Sequence, residues 1–199
     1  MNESAQKYYL AYGSNLNVEQ MKLRCPDAEV VGTAMLEGWQ LAFRGSRMNA
    51  HLTIERQAEA KTPVGIWLVT AEDEKNLDRY EGYPSYYRKV GMGVTCAEKS
   101  GKIKHIVAFV YIMTPGLPAG APSREYWDIC RVGYSDFGFD DAYLKGAQEY
   151  SRTRTICPKC HKGYLGYPAI SREDNKTEIC PDCGEKEALH EFIKAKWGW

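Results

Sequence analysis

Three groups of residues in this chain have the types and spacings that enzymes and metal sites use. Residues 12–16 read Tyr-Gly-Ser-Asn-Leu, Glu81 stands directly before Gly82, and the C-terminal region carries two C-x2-C pairs. The first group could bind an anion through backbone amides, and the second could supply an acid–base carboxyl. The cysteine pairs indicate a metal site, because each pair places two thiolates within reach of one ion.

The turn at residues 13–15 follows an apolar, aromatic run at residues 8–12, which the pattern predicts to be a buried strand. Gly13 permits backbone angles that a side chain would forbid, and Ser14 and Asn15 are good N-caps for a helix beginning at Val18. A strand that continues as a helix here leaves several backbone N–H groups unpaired, which favours an anion or a developing negative charge. We interpret the turn as the floor of an active site, with an ordinary strand–turn–helix corner as the alternative.

Glu81 lies at the predicted end of a helix that begins after Thr70, an N-cap with Asp73 three residues further on. Gly82 is suited to the left-handed residue that ends many helices. Leu77 shares a helix face with Glu81, so a buried Leu77 would carry Glu81 toward the core or a cavity in it. Burial and the negative end of the helix would then raise the pKa of this carboxyl. An exposed glutamate in a frayed last turn is the alternative.

The cysteines near the C-terminus form the pattern C-x2-C-x19-C-x2-C, which predicts a zinc ribbon. Four thiolates leave no open coordination position, so we expect a structural zinc ion and no cofactor for catalysis. Metal binding would supply the folding free energy of a tail that is too small for a core of its own. A pair of disulfides is the alternative. The predicted zinc ligands are Cys157, Cys160, Cys180 and Cys183.

Composition places these groups in a protein with a substantial core and no overall charge. The chain has 199 residues, 44% of them hydrophobic and 12% aromatic, with a formal net charge of zero. It can therefore hold one medium domain and a small appendage, and it has no general attraction to nucleic acid or anionic lipid. No run is long enough for a membrane span and no secretion signal is found, so we expect a cytoplasmic protein. We expect Cys25, Cys96 and Cys130 to be packing residues rather than reactive thiols.

The elements that must position these groups are mostly strands before residue 114 and helices after it. Hydrophobic patterns predict strands at residues 8–12, 30–36, 39–43, 52–55, 64–69, 86–96 and 103–113. They predict helices at residues 18–23, 73–80, 124–130 and 140–150. We also predict a hairpin turn at Glu37-Gly38 and a mobile surface turn at residues 57–62. Together, these predicted strands and helices indicate an α+β domain with a curled or closed sheet.

The composition changes near residues 151–154, and we place a domain boundary there, between residues 1–152 and residues 153–199. The tail has few branched aliphatic residues and many charges. Between the cysteine pairs we predict a β-hairpin with its tip at Asp174-Asn175. A short helix is predicted at residues 185–194, and Trp197 and Trp199 would anchor the terminus.

Three features of the sequence together resemble the γ-glutamylcyclotransferase family. They are residues 12–16, the Glu81-Gly82 pair after a tryptophan-containing strand, and the segment Pro122-Ser123-x-x-Tyr126. The resemblance covers residues 7–150 and implies a small mixed β-barrel flanked by helices. It also implies an enzyme that acts on a small-molecule γ-glutamyl compound, releasing 5-oxoproline and a free amine, amino acid or peptide. A four-cysteine tail is not usual for this family, so the resemblance leaves the purpose of the tail open.

In the reaction that the resemblance implies, the α-amine of the γ-glutamyl group attacks its own γ-carbonyl. An α-amine has a pKa of about 8, so removing its proton at neutral pH costs only about 1.4 kcal/mol. Glu81 would act as the catalytic base and acid, and Ser14 would bind rather than attack, because the chain lacks Gly-x-Ser-x-Gly. For the tyrosines, core packing is the alternative. The expected substrate-binding residues are Tyr12, Gly13, Ser14, Asn15, Leu16, Tyr111 and Tyr126.

A second class of function is a binding or adaptor protein in which the tail engages nucleic acid or a protein. Nearby carboxylates offset the basic residues of the tail, so docking on the first domain or on a partner protein is the preferred interpretation. The sequence leaves open the oligomeric state and the amine half of the substrate, which loops 44–50 and 114–122 should contact. The residues considered for nucleic-acid contact are Arg152, Arg154, Lys159, Lys162, Tyr164, Tyr167 and Arg172.

Overall fold

A computed structural model describes residues 6–197, and the strands within residues 7–113 form a closed five-stranded barrel. The strand order is β1-β3-β2-β4-β5, and all neighbours are antiparallel except the parallel pair of β1 and β5. The α+β barrel predicted from the sequence is therefore confirmed. The strands are β1 (Lys7–Ala11), β2 (Glu29–Gly45), β3 (Ala50–Val69), β4 (Tyr87–Glu98) and β5 (Ile103–Met113).

Helices flank this barrel and follow it along the chain. None of the helices within residues 6–197 has both the length and the apolar character needed to cross a lipid bilayer. The side chains of Trp197 and Trp199, predicted to anchor the terminus, lie outside the described residues. The helices are the short 3-10 turn η1 (Ser14–Leu16), α1 (Val18–Arg24), α2 (Ala71–Glu81), α3 (Arg124–Asp136), α4 (Ala142–Arg152) and α5 (Pro181–Trp197).

Two predicted turns are wrong, because β2 and β3 form one long antiparallel ribbon. β2 continues through residues 37–38, where the register shifts between Glu37 and Trp39 and Gly38 takes a φ of +75°. Between the pairs Glu37–Lys61 and Trp39–Arg56, β2 has one residue and β3 has four, so the extra residues of β3 form a large bulge that bends the ribbon without ending it. β3 continues through residues 57–62, whose charged side chains are exposed and so lack the apolar alternation that predicts a strand.

The cap of the first helix also differs from the prediction. Asn17 is the N-cap of α1, and its side-chain oxygen accepts a hydrogen bond from the backbone N–H of Gln20 at 3.0 Å. Ser14 lies in η1, which has no side-chain capping bond. Because Asn17 satisfies the end of α1, the side chains of Ser14 and Asn15 are available for contacts elsewhere.

The predicted signals at both ends of α2 are confirmed. Thr70 and Asp73 form a capping box, and Gly82 ends the helix in the left-handed region, at φ 61° and ψ 34°. Leu77 is fully buried, so the face that it shares with Glu81 points into the protein. These features make Glu81 the last helical residue and turn it inward.

The η1 turn is held tightly between the barrel and α3. A Cβ on Gly133 of α3 would lie 2.5 Å from the backbone nitrogen of Asn17, so only glycine permits this approach. The Tyr134 hydroxyl donates a hydrogen bond to the carbonyl of Tyr12 at 3.2 Å. The backbone of the turn is therefore fixed from the α3 side.

The C-terminal tail contains two short strands, β6 (Ala169–Ile170) and β7 (Glu178–Ile179), followed by α5. The predicted hairpin is confirmed, with Asn175 at its tip in the left-handed region at φ 54°. α5 begins at Pro181, earlier than the predicted residue 185, because proline is well suited to the first turn of a helix. A small apolar cluster, separate from the core of the barrel, includes Cys157, Tyr164, Ile179, Cys180 and Cys183.

Candidate active site

Two adjoining cavities lie where β1 passes into η1 and α2 ends. The inner cavity has a volume of about 30 Å³ and the outer one about 170 Å³. Both are lined by Ser14, Glu81, Tyr87 and Tyr126, so they form one continuous site. The inner cavity is completed by Tyr9, Tyr12, Gly13, Asn15, Leu52 and Tyr111, and the outer one by His51, Tyr80 and Tyr86.

The carboxyl of Glu81 lines both cavities and has an unusual pKa. Burial raises the pKa of Glu81 to about 7, although the charge of Arg24 and a hydrogen bond from Asn15 act in the opposite direction. An ordinary glutamate is almost fully ionised at neutral pH, whereas a carboxyl with this pKa can both accept and donate a proton there.

The side chain of Asn15 connects Glu81 to its neighbours. The Asn15 amide Nδ2 donates to Oε1 of Glu81 and to the hydroxyl of Tyr9, each at 2.8 Å. Its Oδ1 accepts a hydrogen bond from Nη1 of Arg24 at 2.7 Å, and the Arg24 guanidinium stacks on the Tyr80 ring at 3.7 Å. Both hydrogens of the amide are committed to protein acceptors, so this side chain orients Glu81 instead of facing the cavity with a free donor.

Removing the Asn15 amide should raise the pKa of Glu81 further. We expect the Glu81 carboxyl to titrate near pH 7 in the wild type and about one pH unit higher in Asn15→Ala, because a hydrogen bond to a charged group contributes about 1.5 kcal/mol. Carbon-13 NMR of labelled glutamate side chains measures both midpoints. Asn76→Ala, which removes a half-buried amide of α2 that bonds Arg79 and not Glu81, is the matched control and should leave the midpoint unchanged. A wild-type midpoint near 4.5, or no change in Asn15→Ala, would contradict this account.

Three residues of the η1 turn and its N-cap, Gly13, Ser14 and Asn15, line the inner cavity. The first hydrogen bonds of the turn are donated by Leu16 to the carbonyl of Gly13 at 2.9 Å and by Asn17 to that of Ser14 at 3.0 Å. Within the part of the chain that the structure describes, the N–H groups of Gly13, Ser14 and Asn15 have no protein acceptor. The turn therefore presents positively polarised donors beside the Glu81 carboxyl.

The three predicted tyrosines line the site in different ways. The Tyr12 hydroxyl donates to the Tyr111 carbonyl at 2.6 Å, and the Tyr111 hydroxyl donates to Oδ1 of Asp78 at 2.7 Å. Both hydroxyls are thus committed to protein acceptors, and their rings form the cavity wall. Tyr126 lines both cavities, and its hydroxyl accepts a hydrogen bond from the N–H of Leu52 at 3.1 Å.

Two other predicted residues have less direct positions. The Ser14 hydroxyl lies 3.2 Å from the hydroxyl of Tyr80 at the boundary of the two cavities. Leu16 lines neither cavity. Its fully buried side chain packs against Gly65 and Gly133, which gives it a packing contact instead of a place in the site.

The sequence prediction missed several residues of the site. Tyr80 directly precedes Glu81, so the prediction of Glu81 could have included it. Arg24 and His51 approach from distant elements, and no local pattern indicates them. Burial lowers the pKa of His51, whose ring lies edge-on to that of Tyr126 at 4.7 Å between centroids. The missed residues are Tyr9, Arg24, His51, Tyr80, Tyr86 and Tyr87.

A larger cavity of about 890 Å³ lies elsewhere, beside the open edges of β2 and β4. These strands pair at Gly32 with Glu98 and at Thr33 with Ala97. Glu37 in this cavity is paired with an exposed lysine, and His105 is hydrogen-bonded to a threonine. The smaller site is the better candidate for catalysis, because it combines a carboxyl of raised pKa with backbone donors.

The four C-terminal cysteines converge in the tail. All four Sγ atoms lie within 4.8 Å of one another, and those of Cys160 and Cys180 are 3.7 Å apart. Zn–S bonds of about 2.3 Å in a tetrahedron place sulfur atoms about 3.8 Å apart, so the donor set fits a zinc ion. Burial opposes ionisation of Cys157, yet backbone N–H groups donating to its sulfur lower the pKa of the thiol to about 6. All seven cysteines are free thiols, so the disulfide alternative is not found.

Comparisons with known proteins agree with this geometry. The sequence model of the family described as gamma-glutamyl cyclotransferase, AIG2-like, matches residues 9–129. The gamma-glutamylcyclotransferase of Mus musculus is 26% identical over 165 residues, which cover 79% of this chain and 82% of the mouse protein. That of Homo sapiens is 29% identical over 142 residues, which cover 68% of this chain and 73% of the human protein.

A solved structure described as gamma-glutamyl cyclotransferase has a similar fold. Its TM-score is 0.59 at 26% identity, and the match covers 92% of this chain and 99% of the other. The family match spans more than half of the 199 residues and includes the η1 turn, Glu81 and Tyr126. The chain therefore belongs to the gamma-glutamyl cyclotransferase, AIG2-like family.

Proposed function

We propose that this protein cyclises the γ-glutamyl group of a small amine, amino acid or peptide conjugate to 5-oxoproline and releases the free amine. The observation that carries the proposal is the Glu81 carboxyl, with a pKa of about 7, beside the N–H groups of the η1 turn. The reaction needs a base that also serves as an acid, together with donors for a developing oxyanion. In this proposal the Glu81 carboxyl supplies the base and acid, and the η1 turn supplies the donors.

The raised pKa of Glu81 decides the cost of the first step. Moving a proton from an α-ammonium of pKa about 8 to a carboxyl of pKa about 7 costs about 1.4 kcal/mol, whereas an ordinary carboxyl near 4.3 would cost about 5 kcal/mol. The freed amine then attacks the γ-carbonyl, forming the ring C–N bond. Because ring closure is intramolecular, holding the bent conformer supplies further rate enhancement.

Proton balance requires Glu81 to act more than once. It gives the first proton to the departing nitrogen as the original C–N bond breaks. It then takes a second proton from the new ring nitrogen, which becomes the lactam N–H. The departing amine leaves as an ammonium when that second proton reaches it. In our proposal the N–H groups of Gly13, Ser14 and Asn15 hold the γ-carbonyl oxygen or the substrate carboxylate.

In this proposal each of the two cavities holds one part of the substrate. The γ-glutamyl group lies against Glu81 and the turn, and the amine half lies in the outer cavity. The outer wall is aromatic, formed by His51, Tyr80, Tyr86, Tyr87 and Tyr126, so it offers ring faces to the departing amine. The small inner volume of about 30 Å³ means that tyrosine side chains must move when the γ-glutamyl group binds.

Product analysis tests the proposal directly. Incubating the protein with a library of γ-glutamyl amines, amino acids and peptides should release 5-oxoproline and free amine in equal amounts, measured by mass spectrometry. The Glu81→Gln variant under the same conditions is the control for non-enzymatic cyclisation. Retention of a γ-glutamyl compound without any turnover would instead support a binding or adaptor protein.

We propose further that residues 153–199 form a separate zinc-stabilised module. The convergence of four thiolates supports this, and so does the separate apolar cluster around Cys157. Four thiolates would complete a tetrahedral site, so the zinc ion would be structural. A site that needs four reduced thiolates fits a reducing compartment such as the cytoplasm.

A further inference from the structure

The connection between β2 and β3, residues 46–49, lies between the outer cavity and the C-terminal module; we call it the ribbon tip. Its two ends reach residues beside the outer cavity. Gly45 packs so closely on Tyr86 that a Cβ there would lie 2.2 Å from the Tyr86 hydroxyl. His51, after the tip, lines the outer cavity and contacts Tyr86 and Tyr126 with its ring. The path of the ribbon tip therefore affects where two walls of the outer cavity lie.

The other side of the ribbon tip contacts the module. Nη2 of Arg47 lies 3.4 Å from Oε2 of Glu178, two residues before the metal-site cysteine Cys180. The Arg47 guanidinium also lies near the Tyr164 hydroxyl, where its charge opposes the rise in pKa that burial gives that group. The Met48 sulfur lies 3.0 Å from where a Cβ on Gly166 would stand.

The side chains of the ribbon tip have little other support. Ser46, Met48 and Asn49 are exposed, and the barrel side holds the tip through backbone bonds to residues 118–121. A segment with so little burial depends on its few side-chain contacts for a fixed position. Tyr164 and Glu178 belong to the part of the module that four metal-bound thiolates would order, and Tyr164 packs in the cluster with Cys157.

We propose that the C-terminal module positions the ribbon tip, and that Arg47 is a positioning residue that sets the shape of the outer cavity. This inference depends on the proposed function, because it assigns the outer cavity to the amine half of the substrate. Glu81 and the η1 turn are carried by other elements, so the chemical step does not depend on the ribbon tip. Disturbing Arg47 therefore changes discrimination between amine halves and leaves turnover of the smallest substrate intact.

A charge exchange tests the inference. The variants are Arg47→Glu, Glu178→Arg and the double variant with both changes; Arg47→Gln is a milder alternative if Arg47→Glu unfolds. Arg124→Glu, on an exposed arginine of α3, is the matched control for a charge reversal. The substrates are γ-glutamyl methylamide and a γ-glutamyl anilide, which differ in the size of the amine half.

We expect Arg47→Glu to raise KM for the anilide by about fivefold, with kcat and the methylamide KM within about twofold of wild type, because one partly exposed ion pair is replaced by two like charges. The double variant should restore the anilide KM. Hydrogen exchange of residues 46–52 should be faster in Arg47→Glu and return to the wild-type rate in the double variant. Equal losses on both substrates, or no rescue, would overturn the proposal. Should no γ-glutamyl compound be turned over, the hydrogen exchange alone decides whether the module orders the ribbon tip.

Discussion

Glu81→Gln is expected to lower kcat/KM for 5-oxoproline release by about 100-fold to 10,000-fold, the range that general acid–base groups contribute. The amide keeps the shape of the carboxyl and can still accept the hydrogen bond from Asn15, but it cannot take the ammonium proton. Steady-state rates measured by 5-oxoproline release give the comparison. The wild-type kcat/KM should rise with pH through a midpoint near 7, because the free enzyme must carry the ionised Glu81.

The matched control is Glu72→Gln on the same helix, where the carboxyl is exposed and pairs with Lys75. It should keep activity within about twofold of wild type, since exposed ion pairs contribute about 0–1 kcal/mol. A Glu81→Gln variant that retains full activity while folded would remove Glu81 from the mechanism.

The pH dependence of folding stability provides an independent test with the same variant. A carboxyl whose pKa is raised on folding, from 4.5 to about 7, binds a proton in the folded state across that window. The wild type therefore loses stability as pH rises from about 4.5 to 7, by up to about 3 kcal/mol. Glutamine carries no such cost, so Glu81→Gln should be more stable than wild type at pH 8 and nearly equal to it at pH 4. An active-site carboxyl that destabilises the fold at neutral pH is the pattern expected of a functional group.

Local sequence signals were sufficient to predict the position of Glu81. The capping box at Thr70, the left-handed Gly82 and the buried Leu77 are all properties of one short segment, and together they fix where the helix ends and which face turns inward. The cap of α1 was misassigned because three polar residues just before the helix, Ser14, Asn15 and Asn17, can all serve as N-caps. Only the tertiary contacts of η1 with α3 select Asn17.

Residues 57–62 show why one long strand was missed. Residues 57–60 bulge out of the pairing between β2 and β3 and are mostly exposed, so they need no apolar alternation and their polar sequence resembles a turn. Arg24 and Tyr9 were missed for another reason. Their hydrogen bonds with Asn15 connect the end of α1 and strand β1 to the η1 turn. These are tertiary contacts, and no spacing along the chain predicts them.

The charges of the tail have structural partners that a sequence alone does not assign. Lys159 pairs with Glu173 and with Glu187, each at 2.6 Å, and Tyr164 is buried. A lysine held by two carboxylates has little charge left for a phosphate, and a buried ring cannot stack on a base. Lys159 and Tyr164 are therefore poor candidates for nucleic-acid contact.

Loss of one cysteine of the metal site should have the second large effect, on zinc binding and on the folding of the tail. We expect one zinc ion per chain in protein purified without chelator, and a loss of zinc affinity of at least about 100-fold in Cys180→Ser, because even residues behind the ligands cost 10-fold to 100-fold. The amides of residues 157–183 should lose protection from hydrogen exchange, since the binding free energy of structural zinc is about 10–16 kcal/mol and is the folding free energy of such modules. Elemental analysis and hydrogen exchange measure the two effects.

Cys96→Ala is the matched control, because Cys96 is a buried cysteine of the barrel far from the metal-site thiols in the fold. It should keep full zinc content. The barrel of the Cys180→Ser variant should stay folded, since its core cluster contains none of the four metal-site cysteines. A protein that holds no zinc, or a Cys180→Ser variant that retains it stoichiometrically, would contradict the structural-zinc proposal. Because the Glu81 site draws no residue from the tail, either outcome would leave the cyclotransferase proposal to be decided by its own experiments.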